Sequence, residues 1–233
     1  MIIRRLLKKI KEKHLFIPVI IFNKIICGLR SYYFTRMIDD GGGRVVITDP
    51  FLKFTLKKHK TAYLFIKGNF RVIPHIGGNA NSIITMGKDS KLIVNGDFVI
   101  GHGVRIMLSN NAELSFGGKE VESDSGITSD TLIMVSKKIQ IGKDFICAWN
   151  NFISDSDWHS IEGKSHQKDV IIGNHVWIAN SCNILKGSSI GNNCIIASNT
   201  KITNKYFPND TLIAGVPSKA IKQGIKWSRD INF

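Results

Sequence analysis

Apolar residues follow one strict rule along part of this chain, residues 170–203. Isoleucine stands there at every sixth position: Ile172, Ile178, Ile184, Ile190, Ile196 and Ile202. Glycine or alanine follows at Gly173, Ala179, Gly191 and Ala197, and a short residue lies four places after successive isoleucines, at Val176, Cys182, Ser188, Cys194 and Thr200. A period of six matches neither a 3.6-residue helix nor a two-residue strand alternation. It predicts a short strand and a turn, repeated, with one aliphatic side chain per repeat sent inward. Three repeats close a triangular coil, and stacked coils bury a column of aliphatics while their strands pair above and below. The predicted fold class is all-β, a parallel β-helix of six-residue repeats.

The same lattice is visible earlier at Val94, Ile100, Ile106 and Ala112. It resumes at Ile133 and Ile139, slips by two, and continues through Ile141, Cys147, Ile153 and His159. From His159 to Ile172 the step is 172 − 159 = 13 rather than 6, so seven extra residues around IEGKSHQKDV are predicted to protrude. Residues 44–85 are β-prone but irregular and predict degenerate first coils. GGKEVESDS, residues 117–125, reads as a loop, and residues 204–227 read as a turn, one last strand and a C-terminal helix. The predicted organisation is a basic helical segment over 1–43, a β-helix over 44–214 and a helical tail over 215–233.

The start of the chain differs in pattern. Ile3, Leu6, Leu7 and Ile10 share one helical face, with Arg and Lys opposite. The apolar run 15–27 is interrupted by Pro18, Asn23 and Lys24 and is too short to cross a bilayer. No small-residue cleavage site follows it. Two readings stand for residues 1–38: an amphipathic helix lying on a membrane, or a hydrophobic cap on the end of the β-helix. Gly41–Gly43 is a flexible break.

Charge sharpens the first reading. The chain carries a net charge of +14, and residues 1–30 hold eight basic residues and one acid, so 8 − 1 = +7. Such an excess favours a polyanionic partner. Nucleic acid is not expected, since no zinc-finger, helix-turn-helix or aromatic RNA-binding signature is present. The four cysteines, Cys27, Cys147, Cys182 and Cys194, show no C-x-x-C spacing, and three fall on the lattice. Free core thiols in a reducing cytoplasm are the expectation.

Candidate chemistry concentrates in ISDSDWHSI, residues 153–161. His159 takes a lattice position beside the insertion, where an imidazole could act as general base toward a hydroxyl. Asp157 could orient it or stabilise imidazolium, with Asp155 as the competing carboxylate. The D-x-D of residues 155–157 also occurs in metal-dependent glycosyltransferases, but those sites belong to α/β folds. His159, His166 and His175 match no standard zinc spacing, and His14, His59, His75 and His102 show no evident partner.

Three segments together carry a resemblance: DSDWHS at 155–160, IIGNHVWIANSCNILKG at 171–187 and AGVPSKAIK at 214–222. With the lattice they cover roughly residues 90–225. The chain resembles the hexapeptide-repeat acyltransferases, particularly bacterial sugar and polysaccharide O-acetyltransferases. The resemblance implies a left-handed β-helix, a homotrimer, and acetyl-CoA held in a groove as co-substrate with no metal required. It implies that His159 deprotonates an acceptor hydroxyl, which attacks the thioester directly. The coenzyme-contacting positions fall on Trp177, Ala179, Asn180, Ala197, Ser198, Thr203 and Lys205, and the phosphate-facing basic residues on Lys219 and Lys222 beside Pro217.

Departures limit the carry-over. Ala179 replaces the usual glycine, and Ala197-Ser198-Asn199 the usual Ala-Gly-Ser. Where galactoside and maltose acetyltransferases carry an acceptor-orienting asparagine, this chain has Thr128 and Ser129. The insertion, with Lys164, His166 and Lys168, implies a larger or anionic acceptor. The expected activity is acetyl-CoA-dependent O-acetylation of a cell-envelope carbohydrate. N-acetylation of an amino-sugar nucleotide and a non-catalytic β-helix binding protein are the alternatives. The expected location is cytoplasmic, peripheral on the inner face of the membrane if the first segment binds lipid.

Overall fold

The computed structural model describes residues 2–75, 78–119 and 125–230, with only the backbone for 2–17. After one N-terminal helix, α1 (Ile2–Thr35), every regular element is a strand. The strands form three sheets of nine, seven and seven, each taking every third strand in chain order, except that the nine-stranded sheet ends on two consecutive strands. Sheet 1 contains Gly126–Ser129, Ile146–Trp149, Trp177–Ile178, Ile195–Ile196 and Thr211–Ala214; sheet 2 contains Phe152–Ser154, Asn183–Ile184 and Lys201–Ile202; sheet 3 contains Lys138–Lys143, Val170–Ile172, Ser189–Ile190 and Tyr206–Phe207. Successive coils pair in parallel throughout, as in Trp177↔Ile195 and Asn183↔Lys201. This is the expected three-sided β-helix.

The period of six has a simple physical content. Each repeat sends its isoleucine inward together with the residue two before it, so two-residue strand alternation is nested within the six-residue repeat. Ile178, Ile184, Ile196 and Ile202 are fully buried, and so are Val176, Ser188, Cys194 and Thr200. The short polar residues are satisfied locally: Ser188 Oγ donates to the Leu185 carbonyl at 2.5 Å and Thr200 Oγ1 to the Ala197 carbonyl at 2.6 Å. Burial of these hydroxyls therefore leaves no unpaired group.

Corners carry the second requirement. Asn150, His175, Ser181, Asn193, Asn199 and Asn204 have left-handed φ values, mostly at Asn, which tolerates that region best among residues with a side chain. At the sheet 3–sheet 1 corner the Asn174 amide N–H donates to Asn192 Oδ1 and the Asn192 amide N–H to Asn209 Oδ1, both at 2.8 Å. Gly173 and Gly191 precede two of these asparagines because the next coil passes too close for a Cβ, with backbone atoms 2.7 Å and 2.5 Å from its ideal position.

Several expectations change. The described residues of 44–85 already form paired coils, with strands such as Arg44–Ile47 beside Asn69–Val72. The slip at Ile139 and Ile141 is one six-residue strand with both side chains inward. Gly117 and Gly118 belong to the strand Glu113–Gly118, while residues 120–124 of the predicted loop lie outside the described residues. The segment after Thr203, read as a turn and one last strand, still follows the repeat. It drops one residue, so that Phe207 fills the next inward position (207 − 202 = 5), and then continues to Ile213.

The predicted C-terminal helix is absent among the described residues. Lys219–Gln223 forms an antiparallel strand against Thr211–Ala214. The last parallel strand of sheet 1 would otherwise present unpaired N–H and C=O groups, and the hairpin covers them.

Residues 30–35 of α1 fasten it to the first coil. Arg30 donates to the Pro50 and Leu52 carbonyls at 2.9 and 2.6 Å, while Ser31 Oγ and Thr35 Oγ1 accept the Ile47 and Val45 amides. Phe34 is buried edge-on to Phe54, ring centroids 4.7 Å apart. Upstream, Val19, Ile20, Ile21, Phe22, Ile25 and Leu29 remain exposed. Among the described residues no helix is long and apolar enough to cross a membrane.

Candidate active site

Strand Phe152–Ser154 of sheet 2 leads into the insertion. Trp158 adopts a left-handed φ of 65°, unusual for a bulky residue, and is held by its amide to Ser156 Oγ and its indole N–H to Ser154 Oγ, both 3.1 Å. This turn throws the next residue outward. His159 is therefore exposed and not in the inward lattice position that its spacing predicts. Its ring makes no hydrogen bond or ion pair among the described residues, which leaves both nitrogens free for proton exchange.

The two nearby carboxylates have different jobs. Asp155 is fully buried and accepts three backbone N–H groups, from Ser136, Lys137 and Lys138, each at 2.7 Å. It anchors the base of the insertion and is not available to His159. Asp157 is exposed and meets Lys186 Nζ at 2.5 Å, while Lys186 also donates to the Ser165 carbonyl at 2.6 Å. Lys186 thus ties the insertion to the next coil. Residues 157–169 form a protrusion that begins before the predicted stretch 161–170, with bridges Ser156↔Gln167 and Ile161↔Lys164.

A cavity of ≈ 500 Å³ opens on the outer face of sheet 1. Trp177, Ala179, Asn180 and Ser198 line it, with Trp149 and Trp227. Ser198 Oγ bonds Asn180 Oδ1 at 2.7 Å. Outward positions of successive coils stack in register here: Ile146, Trp177, Ile195 and Leu212 form one column. The adjoining column is small, with Thr128, Ala148, Ala179, Ala197 and Ala214. An apolar cleft of this size with a few polar groups suits a small-molecule ligand.

Other predicted positions lie elsewhere in the chain. Thr203 and Lys205 occupy the sheet 2–sheet 3 corner, and Lys205 Nζ donates to the Ser218 carbonyl at 2.5 Å. Pro217, Lys219 and Lys222 are exposed on the C-terminal hairpin. None of these lines the cavity on sheet 1. Thr128, Trp149 and Trp227 escaped sequence reading as cavity residues. Trp149 carried a signal, being a tryptophan at an outward lattice position.

The remaining candidates resolve into structural roles. His175 stacks on Trp227 at the sheet 3–sheet 1 corner, away from His159 and His166. Among the described residues no group of three or more His, Cys, Asp or Glu is arranged to hold a metal ion. His102 does have a partner, Asp130, with Nε2 to Oδ2 at 3.3 Å, and His59 Nδ1 lies 2.9 Å from Thr61 Oγ1. All four cysteines are free, and burial pushes the Cys147 thiol up to about 12.

Comparison with known proteins settles the family. The model of bacterial transferase hexapeptide (six repeats) matches residues 169–204. A polysialic acid O-acetyltransferase of Neisseria meningitidis is 31% identical over 167 residues, covering 65% of this chain and 77% of that protein. The chain belongs to the hexapeptide-repeat bacterial polysaccharide O-acetyltransferases. A polysialic acid O-acetyltransferase of Escherichia coli O1:K1 / APEC is 28% identical, over 61% of this chain and 43% of the relative. The crystal structure of the polysialic acid O-acetyltransferase OatWY superposes with a TM-score of 0.58 at 31% identity, covering 76% of this chain and 89% of that one. The enzyme's coils accordingly form a left-handed β-helix, and it is an acyltransferase.

Proposed function

We propose that this enzyme transfers acetyl from acetyl-CoA to a hydroxyl of an envelope polysaccharide, with the cavity on sheet 1 as the donor site. One observation carries the reading: Trp177, Ala179 and Asn180 of one coil and Ser198 of the next converge on that cavity. The small-residue column lets a slender chain lie against the backbone, and the indole faces supply apolar contact. His159 takes the acceptor hydroxyl proton as the oxygen attacks the thioester carbon. The new C–O bond forms, the C–S bond breaks, and the proton passes to the departing thiolate. Asp157 is the carboxylate that supports the imidazolium, because Asp155 is committed to three backbone amides. The relatives' named substrate, polysialic acid, favours an anionic capsular glycan, with Lys164 and Lys168 of the insertion as candidate contacts.

Within one chain His159 and the cavity stand at opposite edges of sheet 2. His159 follows strand Phe152–Ser154 at the sheet 2–sheet 3 corner, whereas Asn180 and Ser198 belong to the sheet 1–sheet 2 corner. A complete site therefore joins the base of one copy to the donor pocket of another, and a homotrimer closes three such sites. Thr203, Lys205, Lys219 and Lys222 then serve the donor from a neighbouring copy. The exposed apolar face of α1, with the +7 charge of residues 1–30, lies on an anionic membrane surface and keeps the trimer near lipid-carried glycan.

The decisive test is acetyl transfer from labelled acetyl-CoA to a panel of capsular glycans that includes polysialic acid. His159→Ala should lower kcat about 10²–10⁴-fold with donor affinity kept, and wild-type turnover in that variant would overturn the base. Mixing His159→Ala with a Trp177→Ala variant should restore activity in mixed trimers, and no restoration would overturn the shared site.

A further inference from the structure

The C-terminal segment after the hairpin follows a course that the reaction does not explain. Ile225 is anchored beside the top coils: its amide donates to the Asp210 carbonyl at 3.1 Å, and its carbonyl accepts Asn193 Nδ2 at 3.0 Å. Two residues on, the Trp227 ring lies flat on His175, centroids 3.9 Å apart at 15°, and the His175 Nε2–H donates to the Trp227 carbonyl at 3.1 Å. Arg229 then donates to the Phe145 carbonyl at 3.5 Å. Asn193, His175 and Phe145 belong to successive coils at the sheet 3–sheet 1 corner. The segment is a strap that runs back down the β-helix and borders the outer groove of sheet 1.

From this, the geometry points to Trp227 as a donor-positioning residue: the strap forms the outer wall of the sheet 1 cavity, and Trp227 stacks on a flat or slender part of the bound acyl donor. This rests on the reading of that cavity as the donor site. Three observations support it. Trp227, Ser228 and Arg229 line the cavity opposite Asn180 and Ser198, so without the strap it would be an open face and not a cleft. Trp227 and Trp177 have ring centroids 5.9 Å apart and tilted by 45°, so two indole faces bound one space. The Trp227 indole N–H is buried without an acceptor, and a small turn of the ring would bring it to a carbonyl or phosphate oxygen carried by the ligand. His175 is the positioning residue behind it. Its left-handed φ of 54° places the imidazole under the indole, and its second contact fixes the strap backbone.

A strap that only packs would contribute to stability and leave donor affinity alone. The test uses the full-length protein, with CoA binding followed by calorimetry without acceptor and with the acetyl-CoA KM measured beside kcat. Trp227→Ala should raise the CoA dissociation constant and the donor KM about tenfold, the scale of one base–aromatic stack. The acceptor KM should not move. Trp227→Phe should recover most of the affinity, and His175→Ala should weaken it by a smaller factor. Wild-type CoA affinity in Trp227→Ala overturns the proposal. If Trp177→Ala weakens CoA and Trp227→Ala does not, the strap falls while the donor site stands. If neither variant weakens it, the donor site itself falls. Should Trp227→Ala fail to fold, hydrogen exchange of residues 224–230 in the wild-type enzyme decides: CoA should slow it, and unchanged exchange overturns the strap.

Discussion

The first coils and the last ones obey the same rule and look unlike in sequence. Between paired residues of sheet 1 the early coils take 69 − 44 = 25, 98 − 70 = 28 and 126 − 99 = 27 residues. The late coils take 195 − 177 = 18 and 212 − 195 = 17. Early strands run three to six residues, from Phe98–Ile100 to Glu113–Gly118, whereas late ones such as Asn183–Ile184 have two. Aromatic rings fill the early interior: Phe98 lies between Phe70 and Phe116, at centroid distances of 6.1 and 4.3 Å. The late interior is filled mainly by isoleucine and short residues, with Phe207 as its one ring after Ile172 among the described residues. Strand alternation is common to both regions, so the visible period belongs to the corners. Where every corner is equally tight, inward positions recur at a fixed spacing, and where corners vary in length the same alternation leaves no period.

Core substitutions should separate the two regions most clearly. Phe98→Ala removes a fully buried ring from the early coils and should cost about 3–5 kcal/mol, whereas Ile196→Val in the tight run should cost about 0.5–1.5 kcal/mol. Denaturant unfolding of the two variants measures the difference, and equal losses would mean that the early coils do not depend on aromatic filling. Asp155→Asn, at the junction where the insertion leaves the tight coils, should cost about 1–3 kcal/mol, because an amide cannot accept all three backbone N–H groups. Its melting temperature should fall while turnover per folded enzyme changes much less than in His159→Ala. A collapse of turnover at full stability would return Asp155 to the chemistry.

The smallest effect concerns the thiols. Burial raises the pKa of Cys147 to about 12, and burial also raises Cys182 and Cys194. At pH 8 a thiol reagent should label Cys27 first and reach the other three only after unfolding. A raised folded-state pKa stabilises the protein fully below the unfolded value of 9.0, and for Cys147 that contribution fades as pH rises from there toward about 12. Rapid labelling of Cys182 or Cys194 in the native enzyme would show that the tight run opens readily.

His159 illustrates the limit of counting. Six places from Ile153 marks an inward lattice position, yet the left-handed turn at Trp158 puts the imidazole outside. The residue type and its place beside an insertion were readable, but its orientation was not, because a loop's hydrogen bonds decide it. The C-terminal hairpin is a similar case. Ile221 and Ile225 have helical spacing, but the last parallel strand offered open backbone groups, and pairing with them prevailed over local preference. Lys219 and Lys222 thereby lie on a strand and not on a helix face.

What the sequence determined by itself is the repeat, the three-sided coil, the free thiols and the neighbourhood of the candidate base. These follow from local rules, in which one residue's role depends on neighbours a few places away. Only the tertiary structure decided that Trp149, Trp177 and Trp227 bound one cavity, since 227 − 177 is 50 residues and no period links a strap to the sheet it crosses. It also separated Asp155 from Asp157, one locked on backbone amides and the other turned to Lys186. Both outcomes depend on which coil passes beside which, and hydrophobic spacing along the chain does not encode that.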